Sequence, residues 1–209
     1  MGRSAPDAAR PRVPFVGLTG GMGAGKSTAL AALGRLGALT LSTDAVVHEL
    51  YASSELRDLV VARWGDGVAP GGTVDRAQIA RHAFADPAER AWLEGEVWPR
   101  VGTRVVAFRA EADRADPAPP AAVVETPLLF EAGMAGAYDA TIAVVADEEL
   151  RAARAAARGH AAVDERASRQ LTQDEKAARA TYVVRNSGSV DDLQAALSEV
   201  LDRIRDGRP

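Results

Sequence analysis

Short apolar runs alternate with longer segments of helical periodicity along the 209-residue chain. The run "VPFVGLT" (13–19) reads as a buried strand, and "KSTALAALGRLG" (26–37) as a helix that ends at a glycine. A second short strand is expected at "ALTLST" (38–43). Asp44 then opens a helical stretch that ends in the glycine-rich break "GDGVAPGG" (65–72). Residues 73–116 are helical in pattern throughout, in three pieces separated by an Asp86-Pro87 and a Trp98-Pro99 step. Beyond the turn "DPAPP" (116–120) come strands at 121–126 and 139–147 and an Ala- and Arg-rich helical region over 148–180. A strand at 181–186 and a last helix from Asp191 to Arg205 complete the chain.

Strands that alternate with helices imply an α/β protein with a mainly parallel five-stranded sheet covered on both faces, because right-handed crossovers return each strand in the same direction. All strand carboxyl ends then share one edge, where open α/β sheets bind ligands. That edge should gather Gly20 to Ser27, Asp44, Glu125, Thr126, Asp147 and Asn186.

The most specific signal on that edge is "GLTGGMGAGKST" (17–28), which carries the spacing G-x-x-x-x-G-K-[ST]. Gly20, Gly21, Gly23, Ala24 and Gly25 would turn their backbone N–H groups around an anion. Lys26 would reach the β and γ phosphates, the Ser27 hydroxyl would ligate Mg²⁺, and Thr28 would lie in the first turn of a helix directing its positive end at the charge. A glycine-rich turn that happens to contain a lysine is the bland alternative. The strand before and the helix after favour the phosphate loop, with Mg·ATP as its ligand. The Lys26-Ser27 pair marks a mononucleotide rather than a dinucleotide site.

Composition narrows the class further. The length allows one full α/β core with a small appended lobe. A net charge of −4 supplies no large positive field for nucleic acid or an acidic membrane. The absence of cysteine excludes disulfides, thiol catalysis and thiolate metal sites. Residues 1–12 lack an apolar signal segment and are expected to be a disordered lead-in, and no apolar run is long enough to span a bilayer, so a soluble cytoplasmic protein is expected. Lysine occurs only at 26 and 176, and neither follows an asparagine, so the Asn-Lys-x-Asp signature of GTP-binding switches is missing.

Asp44 is the first candidate for chemistry, since it follows strand two and should face the γ-phosphate across the cleft. It could take a proton from an acceptor, or merely cap the next helix. Glu125 could sit in the Mg²⁺ shell or form an edge salt bridge, and Glu131 lies beyond the same strand. Arg154 and Arg158 present two cations at i and i+4, with Arg151 and Arg166 nearby in sequence. They read either as a lid over the transferring phosphate or as a solvated helix. His48, His82 and His160 share no metal-ligand spacing, and Trp64, Trp92 and Trp98 are expected to be packing groups.

These motifs, in this order, resemble the dephospho-coenzyme A kinase family over residues 15–200. The phosphate loop is similar nearly letter for letter. "VDRAQIARHAFADPAERAWLEGEVWP" (74–99), "TPLLFE" (126–131), "RAAAR" (154–158), "RASRQ" (166–170), "DEKAARATYVV" (174–184) and "NSGS" (186–189) follow in register. The resemblance implies a three-layer P-loop kinase-like fold with a helical acceptor-binding insertion at about 49–116 and a helical lid at about 148–180. Segments 13–48, 121–147 and 181–209 would form the core. It implies transfer of the ATP γ-phosphate to the ribose 3′-hydroxyl of dephospho-coenzyme A, with Asp44 as base, Arg154 and Arg158 on phosphate and Asn186 near the adenine. The chain departs from the family pattern at Ser42, where an aspartate is usual, at Trp98, where a histidine is usual, at Thr181, where an aspartate is usual, and at "RGH" (158–160).

Overall fold

The computed structural model describes residues 12–157 and 170–208. Five strands form one sheet: β1 (Phe15–Gly20), β2 (Leu39–Ser42), β3 (Ala122–Glu125), β4 (Ala140–Val145) and β5 (Tyr182–Arg185). Their order across the sheet is β2-β3-β1-β4-β5, and every neighbouring pair is parallel. β1 lies at the centre, so the loop that leaves its carboxyl end sits in the crevice between strands that cross over to opposite sides.

Alternation along β1 separates two apolar layers. Val16 and Leu18 join Val123, Ile142 and Val144 on the face covered by α1 (Lys26–Arg35) and α8 (Val190–Arg205). Phe15 points the other way, with Ala122 and Val124, toward Phe108, Leu129 and Tyr138. Gly17 shares that second face, where a Cβ would come within 2.4 Å of Leu129. Leu18, Leu33, Ile142 and Leu197 are fully buried, each contributing about 1.5–3 kcal/mol on leaving water. α8 begins with a reciprocal capping box between Ser189 and Asp192 and buries Leu193, Leu197, Val200, Leu201 and Ile204 at helical spacing.

A third apolar cluster lies away from the sheet, among α2 (Thr43–Ala52), α3 (Ser54–Trp64), α4 (Arg76–Ala85) and the first half of α5 (Pro87–Arg114). The stretch after Asp44 is two helices instead of one, because Ser53 breaks the run with an extended backbone and caps α3 through the Leu56 N–H. Asp86-Pro87 does separate α4 from α5, with Asp86 capping the new helix. The Trp98-Pro99 step does not end a helix: α5 runs through Pro99 for 28 residues. Proline removes one ladder bond there, to Gly95, and packing on both sides overrides that loss. Leu93 and Val97 are held in the helical cluster, and Phe108 and Ala112 are held against the sheet. Among the described residues, no helix is long and apolar enough to cross a membrane.

The tryptophans divide. Trp64 stacks on His82, meets Trp92 edge-on and donates to Glu89 at 2.7 Å, as packing groups should. Trp98 is 59% exposed on α5, contrary to the packing role expected from sequence. The inward stripe of α5 is set by Leu93, Val97, Val101 and Val105, and Trp98 falls beside it.

Candidate active site

The loop from Gly20 to Gly25 joins β1 to α1, whose N-cap is Gly25 in the left-handed region at φ 92°. No side chain caps α1 and no acid occupies its first turn, which leaves its positive end directed at the loop. Two glycines are required by close approach as well as by φ. A Cβ on Gly25 would lie 2.0 Å from the Asn186 amide nitrogen, and one on Gly23 would lie 2.4 Å from the Arg151 carbonyl oxygen.

Side chains from distant elements hold this loop. Lys26 Nζ donates to the carbonyls of Gly20 at 3.0 Å and Gly21 at 3.2 Å, curling the loop around the lysine stem. Asn186, buried just after β5, donates from Nδ2 to the Ala24 carbonyl at 2.8 Å. Arg151 and Arg154 come from α6 (Glu148–Ala157). Arg151 Nε donates to the Met22 carbonyl at 3.0 Å, and Arg154 Nη1 donates to the Asn186 carbonyl at 3.0 Å. Arg154 is thus brought to the loop, while Arg158, Arg166 and His160 lie outside the described residues.

Across the same edge, α2 starts at Thr43 and Ser42 is its N-cap, accepting from the Ala45 N–H. The capping task therefore belongs to Ser42. Asp44 sits in the exposed first turn, and among the described residues no hydrogen bond or ion pair engages its carboxylate. Thr43 Oγ1 donates to the Glu125 carbonyl at 3.0 Å, tying the start of α2 to the end of β3. Glu125 is itself buried there, level with Ser42 of β2 and Leu18 of β1.

The Ser27 hydroxyl, exposed at the start of α1, and the Glu125 carboxylate are hard oxygen donors at neighbouring points of this edge, a chemistry that fits Mg²⁺. No group of three or more His, Asp or Glu among the described residues could cage a metal by itself. That suits an ion carried largely by substrate phosphates and water.

Two residues that hold the site carry no individual role in the sequence reading. Arg151 enters there only as a neighbour of the Arg154 and Arg158 pair. Lys176, on α7 (Gln173–Arg179), is fully buried and pairs with Glu131 at 2.9 Å. The usable signal was composition: a chain that places arginine nearly everywhere keeps lysine at two positions only.

The profile of the dephospho-CoA kinase family matches residues 14–192. The chain belongs to that family. A dephospho-CoA kinase of Deinococcus radiodurans is 38% identical over 196 residues, covering 90% of this chain and 91% of that protein. One from Symbiobacterium thermophilum is 37% identical over 186 residues, covering 87% and 77%. The crystal structure of TT1252 from Thermus thermophilus superposes with a TM-score of 0.74 at 34% identity, over 92% of this chain and 98% of that one. Dephospho-CoA kinase from Campylobacter jejuni shares the fold at 22% identity, with a TM-score of 0.66 over 92% and 98%.

As a dephospho-CoA kinase family member the chain is a phosphotransferase with an alcohol acceptor, and ATP is its phosphate donor. Two of its departures from the family pattern have structural work to do. Ser42 caps α2. Thr181 Oγ1 accepts from the Thr141 N–H, and Thr141 Oγ1 accepts from the Thr181 N–H, both at 3.0 Å, fastening the entry of β5 to β4.

Proposed function

We propose that this chain transfers the γ-phosphoryl group of Mg·ATP to the ribose 3′-hydroxyl of dephospho-coenzyme A, giving coenzyme A and ADP, the last step of coenzyme A biosynthesis. The observation that supports the reading is one sheet edge that brings together the glycine-rich loop and an exposed carboxylate. The loop from Gly20 to Thr28 with Lys26 lies at the end of β1, and the exposed Asp44 carboxylate opens α2 beyond β2.

In this reading Asp44 accepts the proton of the 3′-hydroxyl as that oxygen attacks the γ-phosphorus, and the bond from phosphorus to the β–γ bridging oxygen breaks as ADP leaves. The loop N–H groups and Lys26 offset charge on the β and γ phosphates, and Arg154 and Arg158 add to that offset. Asn186 contacts the nucleotide side of the loop. Ser27 and Glu125 would hold Mg²⁺, and the ion when bound would neutralise phosphate charge. Helices over 49–116 form the acceptor lobe, 148–180 form the lid, and the remainder is the kinase core, at work in the cytoplasm.

The test is incubation of purified protein with Mg·ATP and dephospho-coenzyme A, with Lys26→Ala as control and coenzyme A followed by mass spectrometry. Product from the unmodified protein alone supports the reading. Nucleotide binding without product overturns it, and a panel of other alcohol acceptors then separates a different small-molecule kinase from a non-catalytic nucleotide-binding module.

A further inference from the structure

Both lysines of the chain converge on the same few residues. Lys26 Nζ holds the carbonyls of Gly20 and Gly21. Lys176 Nζ reaches the adjoining residue from below, with acceptors at Pro127 O (2.6 Å), Glu131 Oε1 (2.9 Å) and Thr19 Oγ1 (3.5 Å). An ammonium has three donors on a compact head, and here three acceptors surround it. The planar fork of an arginine would not fit that arrangement, which gives a physical reason for lysine in an arginine-rich chain.

Glu131 has a second duty. Its Oε1 also accepts from the Leu171 N–H at 2.8 Å, just before Thr172 caps α7. Gln170 to Asp174 form one wall of a cleft of about 390 Å³ whose other side is Gly21, Met22 and Arg151. Lys26 meets the loop at Gly20 and Gly21, and since the lysine of such a loop reaches the β and γ phosphates, the kinase reading puts this wall on the side of the phosphate to be transferred.

A buried ion pair is a weak source of stability, since desolvation of two charges offsets most of their attraction. Among the described residues Glu131 Oε2 is buried without a hydrogen-bond partner, so this pair is not arranged for maximal stability. Its geometry does something else: one carboxylate oxygen joins the ammonium under β1 to the backbone of the cleft wall.

We infer that Lys176 and Glu131 are positioning residues for phosphoryl transfer, fixing the 170–174 wall against the β/γ end of the phosphate loop. The pair touches neither substrate and acts through the wall. The inference rests on the kinase reading above. It requires an effect on turnover rather than on binding of the diphosphate product.

The experiment compares Lys176→Met/Glu131→Leu, an apolar pair of similar volume, with Glu131→Gln, which keeps an oxygen for both Lys176 and the Leu171 N–H. Thermal stability, ADP affinity and kcat with Mg·ATP and dephospho-coenzyme A are measured for each. The double variant should keep its melting temperature, bind ADP within about 3-fold of the unmodified protein and lose at least about 10-fold in kcat, while Glu131→Gln, which leaves the buried ammonium without its counter-charge, should melt lower yet stay within about 3-fold in kcat and ADP affinity below its melting temperature.

A folded double variant with unchanged kcat overturns the inference. So does a parallel fall of kcat, ADP affinity and melting temperature, which would mark the pair as structural only. A measurement on the unmodified protein guards against a double variant that does not fold: the Leu171 amide should exchange its hydrogen slowly, and exchange at the rate of an exposed amide would sink the idea. Absence of turnover in the unmodified protein would instead count against the kinase reading, leaving the exchange result to judge the wall.

Discussion

The Asn186 side-chain amide donates to the carbonyl oxygen of Ala24 across 162 positions of sequence, and Gly25 is stripped of a side chain at the point where that amide passes. The end of β5 therefore shapes the phosphate loop at the end of β1. Asn186→Ala should remove this bond and leave the buried Ala24 carbonyl without it, costing about 1–3 kcal/mol. Calorimetric titration should show ATP affinity falling together with the melting temperature.

Gly25→Ala should be worse. Its Cβ would stand 2.0 Å from the amide nitrogen, at a φ of 92° that L side chains rarely adopt. Nucleotide binding should be lost, and a Gly25→Ala protein with ordinary ATP affinity in the same titration would contradict the loop geometry.

Lys26 and Asp44 should separate binding from chemistry. Lys26→Ala removes the cation from the β/γ end and should abolish transfer. Asp44→Asn should leave ATP affinity unchanged and lower kcat by roughly 100-fold or more, as loss of a general base does. Because Ser42 supplies the cap of α2, the melting temperature of Asp44→Asn should stay near that of the unmodified protein. Full turnover by Asp44→Asn would remove it from the base role.

Two exposed capping boxes give the protein a defined acid response. Hydrogen bonds from the Thr172 backbone and then its hydroxyl hold the Glu175 carboxyl below its ordinary 4.5, and those from the Ser189 hydroxyl and then its backbone hold Asp192 below 3.8. Both folded values are depressed, so their stabilisation is fully present above the ordinary carboxylate range and disappears as pH falls through the folded values. A Glu175→Gln/Asp192→Asn protein should be less stable than the unmodified one at neutral pH and converge with it as pH falls below the ordinary carboxylate values and through the depressed folded ones. Urea unfolding across that range measures the difference, and a constant gap at all pH values would refute the assignment.

Trp64 and Trp98 should respond oppositely to truncation. Trp64→Ala removes a stacked partner of His82, an edge contact with Trp92 and the bond to Glu89, at about 3–5 kcal/mol. Trp98→Ala should change stability by no more than about 0.5 kcal/mol, since the ring is 59% exposed. Denaturant midpoints decide between these.

What the sequence determined by itself was everything carried by local period and spacing. Strands and helices alternate where apolar runs and helical patterns alternate, and that alternation forces the strand ends of Gly20, Asp44, Glu125 and Asn186 onto one edge. The loop from Gly20 to Ser27 was legible because its chemistry is encoded in consecutive residues. Tertiary structure alone decided the rest, because the deciding contacts join residues far apart in the chain. α5 continues through Pro99 because its two halves are gripped by different cores, and no local signal reports that. Ser42 rather than Asp44 caps α2 because β2 delivers the chain with Ser42 in an extended conformation. Arg151 grips Met22 and Lys176 grips Glu131 because a parallel sheet places the end of β1 beside elements more than a hundred residues later, where one buried charge can hold several backbones at once.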